Sequence, residues 1–123
     1  MDDYSAALYR LAEDSSVYGR MNDATGSAYV KGQCGDELVF YLWISDGIIE
    51  EALYYTENGC TITKACGALV AREISGKRVE HAMSLSPRDI VDGVGGLGPY
   101  DRHCALLAAI TLYKALGDYS LKP

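Results

Sequence analysis

The stretch "ELVFYLWISDGIIEEALYYT", residues 37–56, restricts the fold more than any other part of the chain. Two runs dense in β-branched and aromatic residues flank Asp46-Gly47, a pair suited to a two-residue turn, so the segment reads as a β-hairpin. Leu38, Phe40, Leu42 and Ile44 share one face of its first strand, and Val39, Tyr41 and Trp43 share the other. Both faces carry apolar side chains, which predicts that each is at least partly covered.

The segments around the hairpin settle the fold class. Ala6, Leu8, Leu11 and Ala12 recur at helical spacing, with Asp2 and Asp3 placed where a helix dipole favours negative charge. A loop rich in Gly, Asn, Asp and Ser then leads to a brief strand over 27–31. Beyond Asn58-Gly59, the residues Ile62, Cys66, Leu69, Val70 and Ile74 form one helical face, and Gly76 stands where a helix-ending glycine belongs. "RVEHAMSL" and "SPRDIVDGV" read as two short helices, the second with Ser86 as N-cap and Pro87 in its first position. A glycine-rich connector precedes a last helix, "HCALLAAITLYKALGDY", that Gly117 is expected to end. One helix, three strands and then only helices make an α+β plan, a three-stranded antiparallel sheet with helices packed on one side, in a single domain over 1–123.

A chain of 123 residues buries about two-thirds of its unfolded surface and needs no crosslinks to fold. Its 17 acidic and 11 basic residues leave a net charge of −6, and no basic cluster interrupts it, which argues against nucleic acid and against anionic membranes. An acidic N-terminus and the lack of an 18-residue apolar run speak against a secretory signal and a membrane span, so a cytoplasmic location is expected. Four cysteines in a reducing compartment are not a disulfide framework. They raise metal binding or thiol chemistry instead.

Three of the four stand at structural punctuation: Cys34 in the turn before the hairpin, Cys60 and Cys104 in the first turns of the middle and last helices. A helix N-terminus stabilises an anion, so the thiols of Cys60 and Cys104 are expected to ionise more readily than a free cysteine. Cys66 is turned about 240° from Cys60 on the helix and falls in the apolar register, the place of a core cysteine. His81 reads as a surface histidine. Asp36 follows Cys34 by two residues and His103 directly precedes Cys104, which adds a carboxylate and an imidazole to three thiols. Three sulfurs and one N or O donor make a tetrahedral set for zinc or for cluster iron. The gaps of 26 and 44 residues between the three cysteines contain no local knuckle, so scattered structural cysteines remain the alternative.

Taken together, "GQCGDELVFYLWISDGIIEEALYYTENGC", "ACGALVAREISGK" and "HCALLA" resemble the IscU/SufU/NifU N-terminal family of iron–sulfur cluster assembly scaffolds, over nearly the whole chain from about Tyr4. The resemblance implies a scaffold, not an enzyme, on which a transient iron–sulfur cluster, [2Fe–2S] foremost, is built from iron and from persulfide sulfur delivered by a cysteine desulfurase, then passed to acceptor apo-proteins. It implies that Cys34, Asp36, Cys60, His103 and Cys104 bind the metal or cluster and that Cys104 accepts the sulfur. A zinc or iron ion is the expected occupant on isolation, and a homodimer is compatible with the family. A hard carboxylate oxygen is a poorer ligand for cluster iron than a fourth thiolate, so a site with Asp36 is expected to hold its cluster loosely.

Where IscU members carry an LPPVK segment gripped by an Hsp70-type chaperone, this chain has Leu97-Gly98-Pro99-Tyr100-Asp101, so dependence on that chaperone is doubtful. The chain is expected to be a stand-alone prokaryotic protein closer to IscU and the NifU N-terminal domain than to SufU. Two other functions use the same residues: a zinc-binding structural or regulatory protein, and a persulfide sulfur carrier centred on Cys104.

Overall fold

The computed structural model describes residues 4–122. Three strands, β1 (Gly26–Lys31), β2 (Glu37–Ser45) and β3 (Ile48–Tyr55), form an antiparallel sheet in the order β1-β2-β3. Asp46 and Gly47 both take positive φ, 53° and 76°, which is the primed turn whose twist matches a two-residue hairpin.

Alternation alone would send one of the two hairpin glutamates into the core. A register shift at Trp43/Ile44 prevents this: Ile44 pairs with Ile49 and Trp43 with Glu51, so one extra residue sits on β3. Ile49, Ala52 and Tyr54 all face inward as a result, while Glu50 and Glu51 stay exposed. Leu38, Phe40, Leu42 and Ile44 are buried as expected. The opposite face is partly covered: the Tyr18 ring and the Arg20 guanidinium lie against Tyr55, Val39 and Tyr41 are half-buried, and Trp43 and Tyr29 are exposed.

Two helices, α2 (Thr61–Ile74) and α5 (Arg102–Leu121), lie across the inner face, and α1 (Ala6–Ala12) packs on α2. The short helices α3 (Val79–Met83) and α4 (Pro87–Gly93) pack against α5. Ser86 caps α4, and its reciprocal bond with Asp89 completes a capping box. The helix α2 comes so close to β3 at Gly67 that an added Cβ would stand 2.7 Å from the Tyr54 ring. Among the described residues no helix is long and apolar enough to cross a membrane.

Several expectations change at the element ends. Gly117 does not terminate the last helix, which continues to Leu121. The carboxylate of Asp118 accepts the Ser27 N–H at 3.0 Å, and Leu116 and Tyr119 pack into the core beside it. That anchoring outweighs the roughly 1 kcal/mol that a mid-helix glycine costs. On α2 the buried face is rotated from the expected one: Cys66, Val70 and Ile74 are fully buried, Ile62 and Leu69 only partly, and Thr63 takes an inner position. The residues Ser15–Val17 form an unforeseen 3-10 turn, as do Pro99–Asp101. Asp2 and Asp3 lie outside the described residues.

Candidate metal centre

The N-terminal ends of α2 and α5 meet at the turn that joins β1 to β2. Gly35 turns that loop with φ 95°, a conformation an L side chain resists, and Gly32 N–H bonds to the Asp36 carbonyl at 2.8 Å. The loop is fastened to the segment before α2 from two sides. Asn58 accepts from Glu37 N–H at 2.9 Å and donates to the Gly35 carbonyl at 3.1 Å, while the Thr56 hydroxyl donates to the Glu37 carbonyl and accepts from Gly59 N–H at 2.8 Å. Glycine is required at 59, because a Cβ there would stand 2.5 Å from the Thr56 oxygen.

This bracing brings Asp36, Cys60 and Cys104 together, with one ligand atom from each lying within 4.8 Å of the others. Cys60 is the N-cap of α2 rather than a residue of its first turn, and Cys104 is in the first turn of α5. Both stand at helix N-termini, where the helix dipole favours negative charge, and the Cys60 N–H itself donates to Asp36. His103 stands at the rim, exposed and with Nε2 at 3.6 Å from the Cys104 sulfur, while Cys34 is exposed in the β1–β2 turn outside the group. Of the five residues expected at the site, three form a tight group, His103 touches it through Cys104, and Cys34 stands exposed two residues before Asp36 in the same turn.

The electrostatics separate the two central thiols. The neighbouring Cys104 thiol is the main influence that lowers Cys60, to about 6, against the opposing effect of partial burial and with further help from Thr63. The same closeness pushes Cys104 upward, and burial adds to the rise. The expectation that both thiols ionise readily thus holds for Cys60 alone. Cys104 also sits at a helix start, but it is 1% exposed and next to the Cys60 thiolate, so a second negative charge is disfavoured. Burial pushes Asp36 up, but bonds from the Thr63 hydroxyl and the Cys60 N–H outweigh it and hold the carboxyl below its usual value.

Cys66 is fully buried and lifted to about 12 by that burial, a core cysteine as read from its register. His81 is a half-exposed partner of Glu73 at 2.9 Å, remote from the donors in sequence as in role. Thr63 was not visible from the sequence as a site residue, yet it is fully buried and its hydroxyl touches all three clustered donors. Its spacing of three from the Cys60 N-cap was the available signal, since such residues lie on the same helix face.

Two thiol groups and a carboxylate, with an imidazole at the rim and a third thiol in the adjoining turn, suit iron or zinc by donor chemistry. Comparison with known proteins points the same way. The chain is 33% identical over 116 residues to "Iron-sulfur cluster assembly scaffold protein IscU" of Escherichia coli K12, covering 93% of this chain and 89% of that one. It is 29% identical over 120 residues to "Iron-sulfur cluster assembly scaffold protein IscU 1" of Archaeoglobus fulgidus, covering 97% and 78%. The crystal structure titled as a putative iron–sulfur cluster assembly scaffold protein for the SUF system from Fervidobacterium islandicum superposes with a TM-score of 0.79 at 21% identity, over 92% of this chain and 96% of that one, which is a likeness of fold. Residues 4–123 match the NifU-like N terminal domain, and the chain belongs to that family.

Proposed function

We propose that this protein is a scaffold on which an iron–sulfur cluster is assembled and from which it is passed on, a binding and transfer role without catalytic turnover. The observation that carries the reading is the convergence of Asp36, Cys60 and Cys104 within 4.8 Å at two helix N-termini, in a member of this family. Cys60 is exposed and its surroundings favour the thiolate, the form in which a thiol binds metal. Cys34 and His103 are the remaining proposed ligands, Cys34 lying in an exposed turn that can close over a cargo larger than one ion. Cluster iron and sulfide are cargo, and the labile member of the ligand set is the Asp36 oxygen.

Sulfur arrives in this account from a cysteine desulfurase carrying a persulfide. The Cys104 thiol passes its proton to the neighbouring Cys60 thiolate as its sulfur attacks the outer sulfur atom, the S–S bond of the donor breaks, and the desulfurase cysteine leaves as thiolate. Each sulfur then needs two electrons from a separate reductant to become sulfide. Cys104 is buried behind Thr63 and beside His103, so delivery requires the partner to uncover it. Acceptor apo-proteins receive the finished [2Fe–2S] cluster; the acidic surface leaves nucleic acid and membranes out of the account, and a cytoplasmic setting with reduced thiols suits the chemistry.

The test is anaerobic reconstitution with ferrous iron, cysteine, a cysteine desulfurase and dithiothreitol, followed by visible absorption and iron and sulfide analysis. A brown product with matched iron and sulfide is expected, and Cys34→Ser, Cys60→Ser and Cys104→Ser each abolish it. A colourless protein that retains only zinc would overturn the scaffold reading in favour of a zinc-binding structural role.

A further inference from the structure

Thr63 occupies a position that a helix core normally gives to an apolar residue. It is fully buried in the third position of α2, and its Oγ1 stands 2.6 Å from Asp36 Oδ2, 3.3 Å from the Cys104 sulfur and 3.6 Å from the Cys60 sulfur. A hydroxyl carries one proton, so it can donate to one of these three at a time. The carboxylate is the nearest of the three by 0.7 Å or more and takes the proton as a charge-assisted bond.

The rest of the side chain is fixed as well. The Thr63 γ-methyl packs toward Gly59, where an added Cβ would lie 3.1 Å from it, and a β-branched residue in a helix has few χ1 choices. This packing favours the rotamer that keeps the hydroxyl on Asp36. Asp36 Oδ2 receives a second bond, from Cys60 N–H at 3.1 Å, which orients the carboxylate from the backbone side. Oδ2 is thus held by one donor from the helix backbone and one from a buried side chain.

We propose that Thr63 is a positioning residue of the metal site: by holding Asp36 Oδ2, it presents the carboxylate to a thiophilic cation as a single-oxygen ligand in register with Cys60 and Cys104. The inference rests on the metal-site reading above and extends it to a residue that touches the ligands without being one. Groups that orient a metal ligand commonly change affinity by about 10- to 100-fold when removed. A carboxylate released from Thr63 keeps only the Cys60 N–H and turns freely about its side-chain torsions. It then loses entropy on binding that the native site has already lost on folding.

Two substitutions separate this role from simple packing. Thr63→Val keeps the shape and removes the hydroxyl; Thr63→Ser keeps the hydroxyl and removes the methyl. Zinc affinity is measured by competition with a chromophoric chelator on each variant, alone and combined with Asp36→Ala, with thermal unfolding run alongside. The expected result is a loss of about 10- to 100-fold for Thr63→Val, near-native affinity for Thr63→Ser, and no additional loss for Thr63→Val once Asp36 is alanine. Native affinity in Thr63→Val, a greater loss in Thr63→Ser than in Thr63→Val, or an undiminished loss in the Asp36→Ala background would each overturn the positioning role while leaving the metal site standing. Failure of the unaltered protein to bind zinc would overturn both.

Discussion

The backbone N–H of Cys60 donates to Oδ2 of Asp36 at 3.1 Å, across 24 residues of sequence, and so fastens the β1–β2 turn to the start of α2. The bond is braced by Asn58, whose amide spans Glu37 N–H and the Gly35 carbonyl. Asn58→Ala removes both contacts at an exposed position. It is expected to lower the unfolding free energy by about 1 kcal/mol in urea titration, with reduced iron retention as the turn loosens. An unchanged unfolding midpoint and unchanged iron retention would show that the brace contributes nothing.

The two central thiols differ in charge and exposure, and alkylation reads both. In a short iodoacetamide pulse followed by peptide mapping, Cys60 should react with an apparent midpoint near pH 6: its folded value is depressed, so the reactive thiolate is present above that pH and lost below it. Cys104, buried, should lag behind, and Cys66, buried and lifted to about 12, should remain unmodified in the folded protein. Cys104→Ala removes the thiol that stabilises the Cys60 anion and should move the Cys60 midpoint up toward that of an ordinary cysteine. Equal rates for all four cysteines would contradict this ordering.

Thr63 and the Cys60 N–H hold the Asp36 carboxylate in place. On the scaffold reading proposed above, that oxygen is the weak ligand through which the cluster's iron is given up. Asp36→Ala is therefore expected to lengthen the lifetime of a reconstituted cluster, followed by the decay of its visible absorption in the presence of a chelator. A lifetime unchanged or shortened would refute this role for the carboxylate.

The fit of α2 on the sheet depends on the missing side chain at Gly67. Gly67→Ala places a methyl group 2.7 Å from the Tyr54 ring, and overpacking of this kind costs about 1–3 kcal/mol. A lowered melting temperature is expected. A stability equal to that of the unaltered protein would mean that the helix shifts without cost.

The sheet was legible because its signals are local. The hairpin turn is written in Asp46-Gly47 and its inner face in the alternation from Leu38 to Ile44, both as observed. The α4 helix start is likewise written in Ser86-Pro87, a cap and a first-position proline. What escaped depends on distance. The Trp43/Ile44 bulge answers a need to keep Glu50 and Glu51 in water, and the extension of α5 past Gly117 rests on Asp118 reaching Ser27. Neither partner is visible from its own neighbourhood.

At the site, the sequence identified chemical types more readily than arrangement. Cys34, Asp36, Cys60, His103 and Cys104 stood out as donors, yet only Asp36, Cys60 and Cys104 come within 4.8 Å of one another. The unequal acidity of Cys60 and Cys104 arises from their closeness to each other, which no helix-end argument applied to each alone could contain. Thr63 was hidden for a related reason: one of two threonines flanking Ile62, it reads as helix filler until Asp36 is seen beside it.

The central claim is that this site builds a cluster and gives it up, and transfer measures that directly. The anaerobically reconstituted protein is mixed with an apo-ferredoxin that accepts a [2Fe–2S] cluster, free iron is trapped by a chelator, and the circular dichroism of the two proteins in the visible region is followed over time. The account predicts that the ferredoxin signal grows as the scaffold signal falls, and that Asp36→Ala slows the exchange. A cluster that stays on this protein, or one that reaches the ferredoxin only when the chelator is left out, would contradict it.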